Sequence, residues 1–152
     1  MVDSFVHLNP YAGDVNKIIF NLGTNDIKHE KFSVNKFKEP VISLINKTKK
    51  LFPCAVIVIV SVLPMKNMYK YTVKNFMKFN EILQEVATVC NCIFVDCFWD
   101  FLTPDKYDIN PDLYCWDGLH LSREGLEFLG EWFYYLVNMK YYSNKISFLP
   151  YL

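Results

Sequence analysis

The sequence predicts an α/β fold in which a parallel sheet carries helices on its faces. Three observations lead there. Short β-branched runs recur, most clearly at Lys17–Leu22 and Cys54–Leu63. Each is followed by a longer stretch whose apolar residues repeat with helical period. The resulting order is strand, helix, strand, helix, strand, loop, helix. Parallel strands need crossover connections, and helices are the usual ones.

Lys17–Leu22 ends at Gly23 and reads as a strand buried on both faces. Ser33 can cap a helix whose inward stripe is Val34, Phe37, Val41, Leu44, Ile45 and Leu51. Pro40 either kinks that helix or marks its true start, because proline lacks the N–H a helix interior requires. Pro53 stops it. Cys54–Leu63 is a second buried strand, ended by Pro64. A helix is expected from about Tyr71 to Val89, with Phe76, Phe79, Leu83, Val86 and Cys90 on one face. Cys92–Val95 is the third strand, closed by Asp96. A loop containing Pro104 and Pro111 leads to Asp117-Gly118-Leu119-His120. Ser122 then caps a last helix, with Leu126, Leu129, Trp132, Phe133 and Leu136 expected to face inward. The aromatic tail after Tyr141 receives no assignment.

The chain has 152 residues, 52% of them hydrophobic and 17% aromatic, enough for one domain over residues 1–152 with a sizeable core. Net charge is zero and Arg123 is the sole arginine. Both features argue against sequence-specific nucleic-acid recognition, which leans on arginine. The five cysteines have no disulfide or zinc-ligand spacing. They read as reduced and mostly buried. No signal peptide is evident and the longest apolar run is too short to span a bilayer, so a soluble cytoplasmic protein is expected.

Two elements can carry chemistry. Gly23-Thr24-Asn25-Asp26 directly follows a strand, where glycine permits a tight turn and an asparagine amide can donate to a developing oxyanion. Asp117 stands three residues before His120, where a carboxylate can hold an imidazole in one tautomer and one orientation. Ligands in such folds gather beyond the carboxyl ends of the strands, so the two elements can converge.

Asn21-Leu22-Gly23-Thr24-Asn25-Asp26-Ile27 resembles the third conserved block of the SGNH, or GDSL-type, esterases and lipases. Trp116-Asp117-Gly118-Leu119-His120-Leu121-Ser122 resembles their final block, and Phe79-Asn80-Glu81-Ile82-Leu83 is similar to the helix between them. The flavour is that of the esterase domain carried by some animal retroelements, and the likeness runs from residue 14 to about 138. It implies a three-layer α/β/α, flavodoxin-like sandwich with strand order 2-1-3-4-5. It also implies hydrolysis of a small-molecule or lipid ester through a serine nucleophile, with no metal or organic cofactor. Asn25 matches the oxyanion-hole asparagine, Gly23 the glycine of the turn, His120 the general base and Asp117 its orienting partner.

The chain departs from the pattern at its front. The family's Gly-Asp-Ser strand and a second, glycine-bearing block normally precede the turn, yet only 22 residues precede Gly23. Asp3-Ser4 echoes the first motif, with Val2 in place of glycine. Ser4 is thus the candidate nucleophile within the chain; Ser61 closes a strand, Ser122 is a cap, and Cys115 reads as a buried loop thiol. The expectation is an N-terminally truncated copy lacking its first strands, inactive alone. The strand Lys17–Leu22 would then present a bare edge prone to self-association. The rival reading is a non-catalytic module that binds RNA or a protein partner, with Lys66, Lys70, Lys74 and Lys78 forming a basic stripe interleaved with Tyr69, Tyr71 and Phe76.

Overall fold

A computed structural model of the chain describes residues 15–27, 34–66 and 73–138. Three parallel strands stand in the order β1 (Lys17–Asn21), β2 (Val56–Val60), β3 (Ile93–Val95). The register pairs Lys17 with Val56 through Asn21 with Val60, and Val58 with Ile93 through Val60 with Val95. Among the described residues the order therefore corresponds to the 3-4-5 half of the arrangement implied by the resemblance.

Alternation along β2 explains the three layers. Residues of a strand point to opposite faces in turn. Ile57 and Ile59 join a core with Phe37, Val41 and Ile45 of α2 (Val34–Leu51) and Phe76, Phe79, Leu83 and Val86 of α3 (Val73–Val89). Val58 and Val60 join the opposite core with Leu136 and Trp132 of α4 (Arg123–Asn138). The salt bridge Lys38–Glu85, at 2.9 Å, ties α2 to α3 at the surface.

Several expectations are corrected. β1 is not buried on both faces: only Phe20 is buried, because β1 pairs with β2 alone among the described residues. The second strand is shorter than Cys54–Leu63, since Pro53 and Cys54 form a turn and the chain leaves the ladder after the Ser61 N–H donates to the Val95 carbonyl at 2.9 Å. Of the two alternatives left open for Pro40, the structure has it inside α2, not at its start. The cap at Ser33, the helix start at Tyr71 and the tail after Tyr141 lie outside the described residues.

Leu126 faces outward and is 60% exposed. The cause is Gly125, whose missing side chain lets α4 approach the 3-10 turn Pro111–Leu113. A Cβ there would sit 2.0 Å from the Leu113 carbonyl oxygen. That contact turns Gly125 inward and its neighbour outward, and Phe128 packs on Phe101 with ring centroids 5.3 Å apart. Ser122 caps α4 as expected, its Oγ accepting from the Gly125 N–H at 3.0 Å.

All five cysteines are free. Cys90 and Cys97 are buried, Cys92 is half-buried, and Cys54 and Cys115 are exposed, so burial is less general than expected. No helix among the described residues is long and apolar enough to cross a membrane.

Candidate active site

The site is built at the carboxyl edge of the sheet. β1 ends at Asn21, and the chain turns at Gly23 into α1, a single helical turn from Thr24 to Ile27. Gly23 has φ +109°, and its carbonyl accepts the Asp26 and Ile27 N–H groups at 3.0 and 3.1 Å. A Cβ on Gly23 would lie 2.3 Å from the Phe79 ring and 3.1 Å from Val62. Backbone angle and crowding both demand glycine here. Asn25 follows on α1 with its side chain exposed.

The Asp117–His120 loop is closed by its own hydrogen bonds. Tyr114 and Leu121 form an antiparallel bridge, and the Cys115 N–H donates to the His120 carbonyl at 2.8 Å. Gly118 takes the left-handed φ of +61° at the tip. Within this loop Asp117 Oδ1 accepts the Leu119 and His120 N–H groups at 2.9 and 3.0 Å. Its Oδ2 meets His120 Nδ1 at 2.6 Å. The bond from the His120 ring, followed by the two backbone donors, lowers the Asp117 carboxyl from its ordinary 3.8 to about 2. Asp117 is therefore an acceptor across the useful pH range. Nδ1 must carry the proton, and in the neutral ring the lone pair sits on Nε2. The His120 side chain is 74% exposed, so that lone pair is open to an incoming group.

The structure thus brings Asp117 and His120 into direct contact. It sets Asn25 on the same edge of the sheet, and no hydrogen bond joins Asn25 to His120 among the described residues. What links the two elements is the segment Val62–Lys66, which leaves the end of β2. Val62 packs against the Gly23 turn, while the Lys66 N–H donates to the Gly118 carbonyl at 2.7 Å.

The side chains set aside as nucleophiles stay apart from the Asp117–His120 pair. Ser61 is fully buried, and its Oγ accepts from the Cys97 N–H at 3.1 Å. Cys115 is exposed, contrary to expectation, with its thiol donating to the Leu121 carbonyl at 3.3 Å. Ser122 is occupied as a cap. Ser4 lies outside the described residues, as do Tyr69, Lys70 and Tyr71. Phe76 is buried in the core, so it does not interleave with a basic stripe. A shallow groove between α3 and the end of β3, walled by Met77, Phe94, Phe98 and Trp99, includes none of Asn25, Asp117 or His120. Among the described residues no group of three or more His, Cys, Asp and Glu side chains is placed to hold a metal ion.

The family model for GDSL-like lipase/acylhydrolase matches residues 7–133. The chain belongs to the GDSL-like lipase/acylhydrolase family. Solved structures agree on the fold. A Streptococcus pneumonia protein, provisionally described as a platelet activating factor, is 28% identical with a TM-score of 0.68, over 77% of this chain and 57% of that one. The lipase/acylhydrolase from Enterococcus faecalis is 18% identical with a TM-score of 0.68, over 89% of this chain and 68% of that one. A catalytic mutant of Axe2, an acetylxylan esterase from Geobacillus stearothermophilus, is 17% identical with a TM-score of 0.66, over 95% and 71%. The chain thus spans 57% to 71% of the length of these three structures. No curated protein matches the sequence.

Two residues with positioning contacts escape a reading of sequence alone. Asn80, buried in α3, accepts from the Val62 N–H at 2.8 Å and donates to the Val62 carbonyl at 3.2 Å. Tyr114, buried beside Phe101, donates its hydroxyl to the Pro64 carbonyl. A signal for Asn80 was present: it is a polar residue on the otherwise apolar Phe76–Leu83 face of its helix.

Proposed function

We propose that this chain supplies the base and the oxyanion donor of an acyl-ester hydrolase that works through a serine. The observation that carries the reading is the 2.6 Å contact between His120 Nδ1 and an Asp117 carboxylate already fixed by two backbone N–H groups. In this scheme His120 Nε2 takes the proton of the serine hydroxyl as it attacks the ester carbonyl. Asp117 holds the ring and stabilises the imidazolium, and the Asn25 amide donates to the tetrahedral oxyanion. The proton then passes to the leaving alcohol, and water releases the acyl group by the same route in reverse. The substrate class is a small-molecule or lipid ester, and the scheme calls on no metal or cofactor.

The serine comes from outside the described residues. Ser61 and Ser122 are committed elsewhere, and Ser43 is exposed midway along α2. Absence of a triad nucleophile costs on the order of 10⁶ in turnover. Ser4, the chain's one echo of the Gly-Asp-Ser motif, has Val2 where the motif has glycine, so the 152-residue chain is expected to show no acetyl-enzyme burst with p-nitrophenyl acetate. Any slow residual hydrolysis should fall about 10²–10³-fold in Asn25→Ala, the usual loss for one oxyanion donor. A burst abolished by His120→Ala would refute inactivity, and Ser4→Ala would then show whether Ser4 is responsible. A residual rate unmoved by Asn25→Ala would sink the oxyanion role.

A further inference from the structure

The segment Val62–Lys66 is held at every second residue. Val62 is gripped through both its N–H and its carbonyl by Asn80, at 2.8 and 3.2 Å. Pro64 offers its carbonyl to the Tyr114 hydroxyl. Lys66 gives its N–H to the Gly118 carbonyl at 2.7 Å. Asn80 is only 6% exposed and spends both its amide oxygen and its amide N–H on Val62, so losing either bond leaves a largely buried polar group poorly satisfied. Its ring-bearing neighbour Phe79 is the side chain that a Cβ on Gly23 would strike. One turn of α3 therefore touches the Gly23 turn and clamps the start of the segment, and the far end of the segment meets the loop that carries Asp117 and His120.

We propose that Asn80 and Tyr114 are positioning residues that fix the Asp117–His120 loop relative to the Gly23–Asn25 turn, acting through Val62–Lys66. The inference takes its catalytic meaning from the function proposed above, while its physical content is independent of turnover. Helix α3 is a rigid reference for both halves of the site. Asn80 registers the segment against that reference, and Tyr114 registers the loop against the segment. Neither touches a reacting atom. Each acts by denying a polar backbone group any alternative partner, which makes slippage of the segment costly.

The test is residue-resolved amide hydrogen exchange on the full chain, with Tyr114→Phe and Asn80→Ala. Tyr114→Phe removes one oxygen and keeps the ring, so it serves if Asn80→Ala folds poorly. The expected result for Tyr114→Phe is at least tenfold faster exchange at the Lys66, Leu119 and His120 amides, with Asp26 and Ile27 unchanged. For Asn80→Ala the same amides accelerate, and those of Asp26 and Ile27 accelerate with them. The Val58–Val60 amides in the centre of the sheet keep their protection in both. A purely structural role would raise exchange by one common factor, Val58–Val60 included, because opening would then be global. That outcome, or unchanged exchange at Lys66 and His120 in Tyr114→Phe, overturns the proposal. Failure of the esterase reading would appear instead in the p-nitrophenyl acetate assay with exchange behaving as expected.

Discussion

The two halves of the candidate site are held by opposite means. The Asp117–His120 loop is held by what is present: a carboxylate with three donors, a backbone bridge and the Lys66 N–H. The Gly23–Asn25 turn has two bonds to the Gly23 carbonyl but depends chiefly on what is missing, a Cβ that would drive into Phe79 and Val62. Hydrogen-bonded loops can shift a few tenths of an ångström and keep their bonds. A turn seated against an aromatic ring at positive φ has no such slack. The Gly23–Asn25 turn should therefore be the more brittle and the Asp117–His120 loop the more forgiving.

Gly23→Ala is the most severe way to break this contrast. It adds strain at φ +109° to a 2.3 Å clash with a buried ring. A loss of about 3 kcal/mol or more is expected, corresponding to a fall in Tm of roughly 6–12 °C for a chain of this size. Thermal melting by circular dichroism would check it. A change under about 1 °C would mean that Phe79 swings away freely and that the turn is not brittle.

Gly118→Ala should cost less. Its φ of +61° is one that L-residues occasionally adopt, so the backbone strain is smaller than at Gly23, although a Cβ would still meet Lys66 Cβ at 2.3 Å. A loss of about 1–2 kcal/mol, or roughly 2–8 °C in Tm, is expected. If Gly118→Ala proved more damaging than Gly23→Ala, the ranking of the two halves would be reversed.

The smallest effect is electrostatic and acts only in acid. The folded Asp117 carboxyl sits near 2, below its ordinary 3.8. A depressed carboxyl contributes stability that is present in full above its unfolded value and is lost as pH falls through the folded one. The contribution should thus fade between about pH 4 and pH 2. Asp117→Asn should flatten that part of a Tm-versus-pH curve. An unchanged acid limb would show that the carboxylate's three bonds are not maintained in solution.

Much of the fold was legible because apolar spacing records which way a strand or helix faces. Phe76, Phe79, Leu83 and Val86 were read onto one face of α3, and all four are buried there. Leu126 was misread because helical period alone cannot register where a neighbouring backbone will approach. The Leu113 carbonyl selects Gly125 for the interface, and Leu126 is turned out. The half-burial of β1 was equally hidden, since burial of a strand depends on neighbours that its own residues do not specify.

The candidate site divides along the same line. The Asp117–His120 pairing is local, three residues apart, and a sequence can display it directly. The Tyr114–Pro64 bond spans fifty residues and the Asn80–Val62 clamp eighteen, and both arise only once α3 and the loop are packed. Partners that distant are chosen by the tertiary arrangement, and single-residue chemistry gives no hint of them.

The openness of His120 has a bearing on proton traffic. With 74% of its side chain in contact with solvent, the imidazole can exchange protons with bulk water directly. No buried conduit is required for a proton to reach it, and buffer molecules have the same access to the ring as water does.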